Sequence, residues 1–215
     1  VAGCELATLM IVPALDGTVL TLQAIEPQSG STSVTMRSSF DMTRPVADVG
    51  FTAAPATELA RGADAEAAVR AGLLAGGAML ASEQVGLAEW CLESTVAYTK
   101  QRNQFGRPIG SFQALKHRMA RLWIAVNSAR AAARNAAVLV DAGGDEAAVA
   151  VGLAQAYCSD VAVLAAEECV QLHGGIGMTW EHPAHLYLKR AKADQVALGT
   201  AAHHRAVLAE GLTPT

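Results

Sequence analysis

The chain has 215 residues, 52% of them hydrophobic and only 17% charged, with a formal net charge of −4. That length supports a sizeable core in one or two domains, and the sparse charge predicts surface buried against other chains or domains. The acidic balance argues against a nucleic-acid or acidic-membrane surface.

Residues 1–55 read as strands. Leu6 to Val12 is an apolar run ahead of Pro13, Asp16-Gly17 is a turn signal, and Thr18 to Leu22 alternates behind it. Gln28 to Ser31 reads as a loop, and Ser33–Met36 and Val49–Thr52 as two more strands. Four short strands do not close a sheet covered on both faces, so half of a β-domain is expected to lie elsewhere. The opening at Val1 without Met points the same way, to a piece of a longer protein.

From Asp64 the pattern becomes helical, with Asp64 as N-cap and Glu66 in the first turn. Leu73, Leu80, Leu87, Cys91 and Tyr98 recur at helical spacings over 65–103, with Gly72, Gly76 and Gly77 as weak points or close-packing positions. A second helix runs from Phe112 to about Val140. Leu115, Met119, Leu122, Trp123, Val126 and Ala133 form its apolar face, and Lys116, Arg118, Arg121, Arg130 and Arg134 its basic one. Gly143-Gly144 ends it, and Asp145 caps a third helix to about Leu172. A fourth stretch, Pro183 to Leu212, breaks near Gly199. Long helices joined by short turns predict a mainly α fold, an up-down four-helix bundle over 61–215 behind a partial β-domain over 1–60.

Cys4, Cys91, Cys158 and Cys169 form no CxxC pair, which fits a reduced, cytoplasmic protein. The residues after Val1 do not read as a signal peptide, and the apolar runs are interrupted by Gly or charge, so no membrane span is expected. No metal site is expected: Pro183 splits His182 from His185, and His203-His204 has no third ligand at zinc spacing. Trp90, Trp123 and Trp180 read as core residues.

Two corners carry the chemistry. Gln101 to Gln113 joins the first two helices and sets Arg102, Gln104 and Phe105 within four residues. A guanidinium there suits a phosphate and the ring suits an aromatic nucleotide. The same residues also read as a plain helix-hairpin turn, with Gly106, Pro108 and Gly110 as breakers and Ser111 as the next N-cap. The third helix ends in Gln171-Leu172-His173-Gly174-Gly175. Paired glycines there serve either as a helix stop or as an open approach to the backbone, with Gln171 offering an amide and His173 bonding backbone or cofactor.

Tyr98 with Arg102-x-Gln104-Phe105-Gly106, Phe112 to Leu115, Gln171-x-His173-Gly174-Gly175-x-Gly177 and Tyr187-x-Lys189-Arg190-Ala191-Lys192 together resemble the acyl-CoA dehydrogenase family. The resemblance covers about 65–212, with 1–60 similar to the second half of the family's middle β-domain. It implies FAD as cofactor, bound where a neighbouring subunit's bundle completes the site. It implies that Arg102 holds the pyrophosphate, that Gln104 and Phe105 flank the nucleotide, that Gln171, Gly174 and Gly175 lie along its phosphate–adenosine part, and that Thr200 sits nearby. It also implies an acyl-CoA substrate, α,β-dehydrogenation, an electron-accepting flavoprotein and a homo- or hetero-oligomer, dimer or tetramer. Arg118, Arg121 and Arg130 are further candidates for an anionic nucleotide.

The resemblance fails at the general base. One position used by the family holds Leu198, before Gly199-Thr200, and the other falls at Gly76-Gly77. Ala202 stands where the family often has Glu or Gln near the adenine. Three explanations follow: a non-catalytic subunit whose partner supplies the Glu, a base relocated to Glu83, or other flavin chemistry. Glu83 lies about two turns beyond the Gly76-Gly77 position, a difference in reach of about 10 Å, and it also reads as a helix–helix hydrogen bond or ion pair. The competing function, of another class, is a catalytically silent helical assembly scaffold with no flavin role.

Overall fold

The computed structural model describes residues 1–28 and 30–212; Ser29 of the expected loop and Thr213 to Thr215 of the expected bundle lie outside them. The chain divides into two compact units, Val1–Leu73 and Leu74–Thr215.

In the first unit, strands β1 (Met10–Asp16), β2 (Val19–Ile25) and β5 (Thr57–Arg61) form an antiparallel sheet in the order β1-β2-β5, and β3 (Thr32–Arg37) pairs with β4 (Val46–Phe51). Asp16 faces Val19 across the turn that holds Gly17 at φ 62°, so the Asp-Gly signal marks a true hairpin. Two sequence expectations need correction. Cys4–Leu6 forms a 3₁₀ turn, and the first strand runs through Pro13 instead of stopping before it. β1 is an edge strand, where a residue without an N–H is tolerated. β5 had no sequence signal. It is held by antiparallel backbone pairing with β2, and on its exposed side Arg61 bridges Asp16 and Glu58, both at 2.9 Å.

Helix α1 (Ala63–Gln101) begins one residue before Asp64, so Asp64 lies in the first turn and is not the cap. Its charge still opposes the positive pole of the helix there. In the second unit α2 (Gln113–Ala142), α3 (Glu146–His173), α4 (Ala184–Asp194) and α5 (Ala201–Leu212) complete the bundle. Phe112, not Ser111, occupies the N-cap position of α2, because Ile109–Ser111 is a 3₁₀ turn closed by the Phe112 amide on the Ile109 carbonyl at 3.1 Å. Asp145 stands at the N-cap of α3 but makes no side-chain cap bond.

α3 is the axis of the bundle. With its 3₁₀ extension it is long and apolar enough to cross a membrane by length and composition, yet its residues are largely buried among α2, α4 and α5. The core is rich in alanine, with Ala129, Ala133 and Ala136 of α2 among Ala154, Ala162 and Ala165 of α3. Small side chains let helix axes approach closely. Gly77 shows this: a Cβ there would stand 2.6 Å from Val151 Cγ1, and the buried Gln155 amide donates to the Gly77 carbonyl at 2.5 Å. Gly76 and Gly77 are thus packing positions within an unbroken helix. Leu73 and Trp123, expected in the core, are exposed; Trp123 at 59% lines the groove between α1 and α2. Trp180 is exposed too. All four cysteines are buried free thiols.

Candidate functional site

The first corner is a miniature β-hairpin. Asn103–Gln104 (β6) pairs with Arg107–Pro108 (β7), and Phe105 and Gly106 form its tip at φ 55° and 74°. Two positive φ values in a two-residue loop match the twist of paired strands. The hairpin is tied to α1 by backbone: the Arg102 amide donates to the Tyr98 carbonyl at 2.9 Å, and the Ile109 amide to the Arg102 carbonyl at 2.8 Å. Behind it Gly110 lies flat on α1, where a Cβ would come 3.0 Å from the Thr99 carbonyl oxygen.

The second corner follows α3. Gly174 leaves the helix at φ 64°, and Gly174–Met178 makes a 3₁₀ segment. Gly177 presses on the end of α3, with its would-be Cβ 2.6 Å from the Val170 carbonyl oxygen. Gly174 and Gly175 face open space, so their backbone is accessible.

Both corners open on one cavity of about 680 Å³. Tyr98, Arg102 and Gln104 line it from the first corner, Gln171, His173, Gly174 and Gly175 from the second, and Arg118 of α2 lies between them. The size and mixed lining suit an organic ligand. Arg118 is held by Glu168 through Nε and Nη2, at 2.7 and 2.8 Å. Those hydrogen bonds push its pKa above the ordinary guanidinium value, against burial. Arg102 has no carboxylate partner among the described residues, and neither the Gln104 nor the Gln171 amide is hydrogen-bonded there. An unpaired cation, two unengaged amides and two open glycines fit a phosphate-bearing nucleotide.

His173 forms a fixed wall of the cavity. Its Nδ1 donates to the Cys169 carbonyl at 2.7 Å, which leaves Nε2 bare and, at 2% residue exposure, without a partner among the described residues. The ring stacks on Tyr98, at 4.5 Å, and lies tilted against His182, at 4.1 Å. Burial, then the neighbouring His173 and His185, lowers the His182 pKa, which favours the neutral His182 ring.

Phe105 and Thr200 are not among the residues around this cavity. Phe105 is 86% exposed at the hairpin tip, edge-on to Phe112, whose face carries the Arg107 guanidinium at 4.1 Å. Thr200 immediately precedes α5, its hydroxyl accepting from the His203 amide at 3.2 Å. Arg130 pairs with Glu89 at 2.5 Å on another face of the bundle.

The two positions that the family resemblance assigns to a general base do meet. A Cβ at Gly76 would lie 3.2 Å from Leu198 Cδ1. Leu198 sits at φ 56° between α4 and α5, and the His204 Nε2 donates to its carbonyl at 3.1 Å. Burial lowers the His204 pKa, as does His203, while the Leu198 and Gly199 carbonyls oppose both. Glu83 is engaged elsewhere: Arg190 of α4 donates to it at 2.5 Å, with both side chains about a third exposed or less. Glu83→Gln is expected to lower stability by about 1 kcal/mol and to leave any dehydrogenation rate unchanged. A thermal melt paired with an acyl-CoA assay measures both; a collapsed rate with an unchanged melt would return Glu83 to the list of bases.

Sequence reasoning missed the packing roles of Gly110 and Gly177, the Arg118–Glu168 fork and the imidazole behind Leu198. Gly177 stood within the quoted motif, but its contact with Val170 follows from the chain path alone.

This architecture defines a helical bundle with a nucleotide-sized cleft between two helix ends, and the family model described as acyl-CoA dehydrogenase, C-terminal domain, matches residues 66–213. The chain belongs to the acyl-CoA dehydrogenase family, whose members are FAD-dependent flavoprotein oxidoreductases. It is 42% identical over 195 residues to acyl-CoA dehydrogenase IpdE2 of Mycolicibacterium smegmatis, covering 91% of this chain and 55% of that protein. It superposes on butyryl-CoA dehydrogenase from Megasphaera elsdenii with a TM-score of 0.91 at 25% identity, covering 98% of this chain and 57% of the other. For the ChsE4–ChsE5 complex from Mycobacterium tuberculosis the TM-score is 0.86 at 26% identity, covering 98% and 57%. The chain spans a little over half the length of these relatives.

Proposed function

We propose that this chain is part of a subunit that supplies flavin contacts in an oligomeric acyl-CoA dehydrogenase while a partner supplies the general base. The observation that carries the reading is the convergence of both corners on one cavity that contains an unpaired Arg102. Arg102 holds the pyrophosphate by charge-assisted hydrogen bonds, Gln104 and Gln171 orient the nucleotide, and Gly174 and Gly175 let it approach the backbone. Phe105, exposed at the tip, and Thr200, just before α5, complete the cofactor contacts from the rim once protomers assemble. When bound, FAD accepts the hydride that leaves the acyl Cβ.

The α-proton needs a carboxylate within reach. Leu198 and Gly76 provide none, and Glu83 is tied to Arg190. The base therefore comes from the other chain of a heteromer, in keeping with the likeness to the ChsE4–ChsE5 complex. In this reading residues 1–60 belong to the middle β-domain, the protein is cytoplasmic, and the electrons pass to a separate flavoprotein.

The full-length protein, purified alone and with its genomic neighbour's product, should carry visible flavin absorbance in at least one state. Arg102→Ala should weaken flavin retention about tenfold. Absence of flavin in every state, with partner activity indifferent to Arg102→Ala, would leave the scaffold function standing instead.

A further inference from the structure

Among the described residues two guanidinium groups border the cavity, and one of them, Arg102, is available to a ligand. The Arg118 fork is closed on Glu168, both nitrogens on both oxygens, with the Glu168 side chain 19% exposed and that of Arg118 42%. A closed, planar, bidentate pair presents almost no net charge, and its carboxylate repels a further anion. Among the described residues the cavity therefore offers one uncompensated positive charge, on Arg102. The end of α3 at Gln171 to His173 adds the negative pole of a helix to the same wall.

Resting on the nucleotide reading above, we infer that Glu168 is a specificity-determining residue. By holding Arg118 it matches the cavity to a nucleotide pyrophosphate diester and sets it against nucleotides whose diphosphate ends in a free phosphoryl group. A diester pyrophosphate spreads two charges along a chain, and one guanidinium with amides and backbone N–H groups satisfies it. A free terminal phosphoryl group brings additional charge and calls for a second bidentate cation. Arg118 stands where it could serve as that cation, and Glu168 withholds it.

The test uses full-length protein in its native assembly, stripped of flavin and titrated with FAD and with ADP. ADP shares the adenosine end and the diphosphate but leaves its terminal phosphoryl group free, with additional charge. Glu168→Gln should strengthen ADP binding about tenfold and move FAD binding by less than about threefold. The gain should shrink as salt rises and vanish in the double variant with Arg118→Met. Glu168→Asp, which shortens the fork by one methylene and keeps the charge, should shift the ADP-to-FAD ratio the same way by less, and it serves if Glu168→Gln does not fold. Parallel shifts of ADP and FAD, or a gain that survives the loss of Arg118, would overturn the inference. Binding of FAD with an unmoved ratio defeats this inference alone, whereas no nucleotide binding by parent or variants defeats the flavin reading and this inference together.

Discussion

Gly177→Ala is expected to unseat the second corner, at a cost of about 2–3 kcal/mol, and to reduce retained flavin to below about a tenth. The added Cβ would stand 2.6 Å from the Val170 carbonyl oxygen, 3.2 Å from its carbon and 3.1 Å from His173 Cβ. Two of the three are backbone atoms of α3, so no rotamer change relieves the clash. The 3₁₀ segment must lift away and take Gly174 and Gly175 with it. Gly175→Ala is the control, because its Cβ enters open space at an ordinary backbone conformation. It should melt like the parent, and it should lose flavin only through a group placed where the ligand approaches. Flavin content and thermal melting of both variants decide the matter. Parent-like values for Gly177→Ala would mean that the corner is not held by this contact.

The bundle was legible because helices write their packing into a local period. Leu80, Leu87, Cys91, Leu122 and Val126 sit at helical spacings and are buried. The β-region was harder. Pro13 reads as a strand breaker until the strand is known to lie on an edge, and β5, mostly exposed and carrying Glu58 and Arg61, is held by backbone pairing with β2 instead of an apolar face. The cap assignments slipped by a residue at Asp64 and Ser111, where a competing turn or an earlier helix start takes the N-cap position. For the candidate site, residue types and spacing left both corners open to a plain turn or helix stop, and the family resemblance singled out Arg102, Gln104, Phe105, Gln171, Gly174, Gly175 and Thr200, of which all but Phe105 and Thr200 line one cavity. Their spacing does not reveal that Glu168, fifty residues from Arg118, closes on it. Nor does it reveal that Gly76 and Leu198, far apart in sequence, face each other. Contacts of that kind belong to the chain path, and one sequence carries no local signal for them.

That last juxtaposition makes Leu198→Glu the most informative gain-of-function change. Gly76 leaves room beside residue 198, and Leu198 Cδ1 already occupies the space next to it. Glutamate is only slightly longer than leucine, and the φ of 56° at this position strains either residue alike, so the exchange adds no backbone penalty. The side chain is 46% exposed, so a carboxylate there keeps part of its hydration and stays ionised. The His204 imidazole still grips the backbone carbonyl and keeps the turn in place, since the bond is to main chain. A positioned general base contributes about 10²-fold or more. The full-length variant, assembled with its partner and given a panel of acyl-CoA thioesters and an artificial electron acceptor, should therefore gain dehydrogenation at this chain's own site by at least about 10²-fold over background. The gain should persist when the partner's own base is removed, which separates it from the activity already present. If flavin content and melting match the parent and no new activity appears with any chain length, the space between Gly76 and Leu198 is not a reaction site, and the missing base is then a sign that this subunit has lost its acyl pocket as well as its proton acceptor.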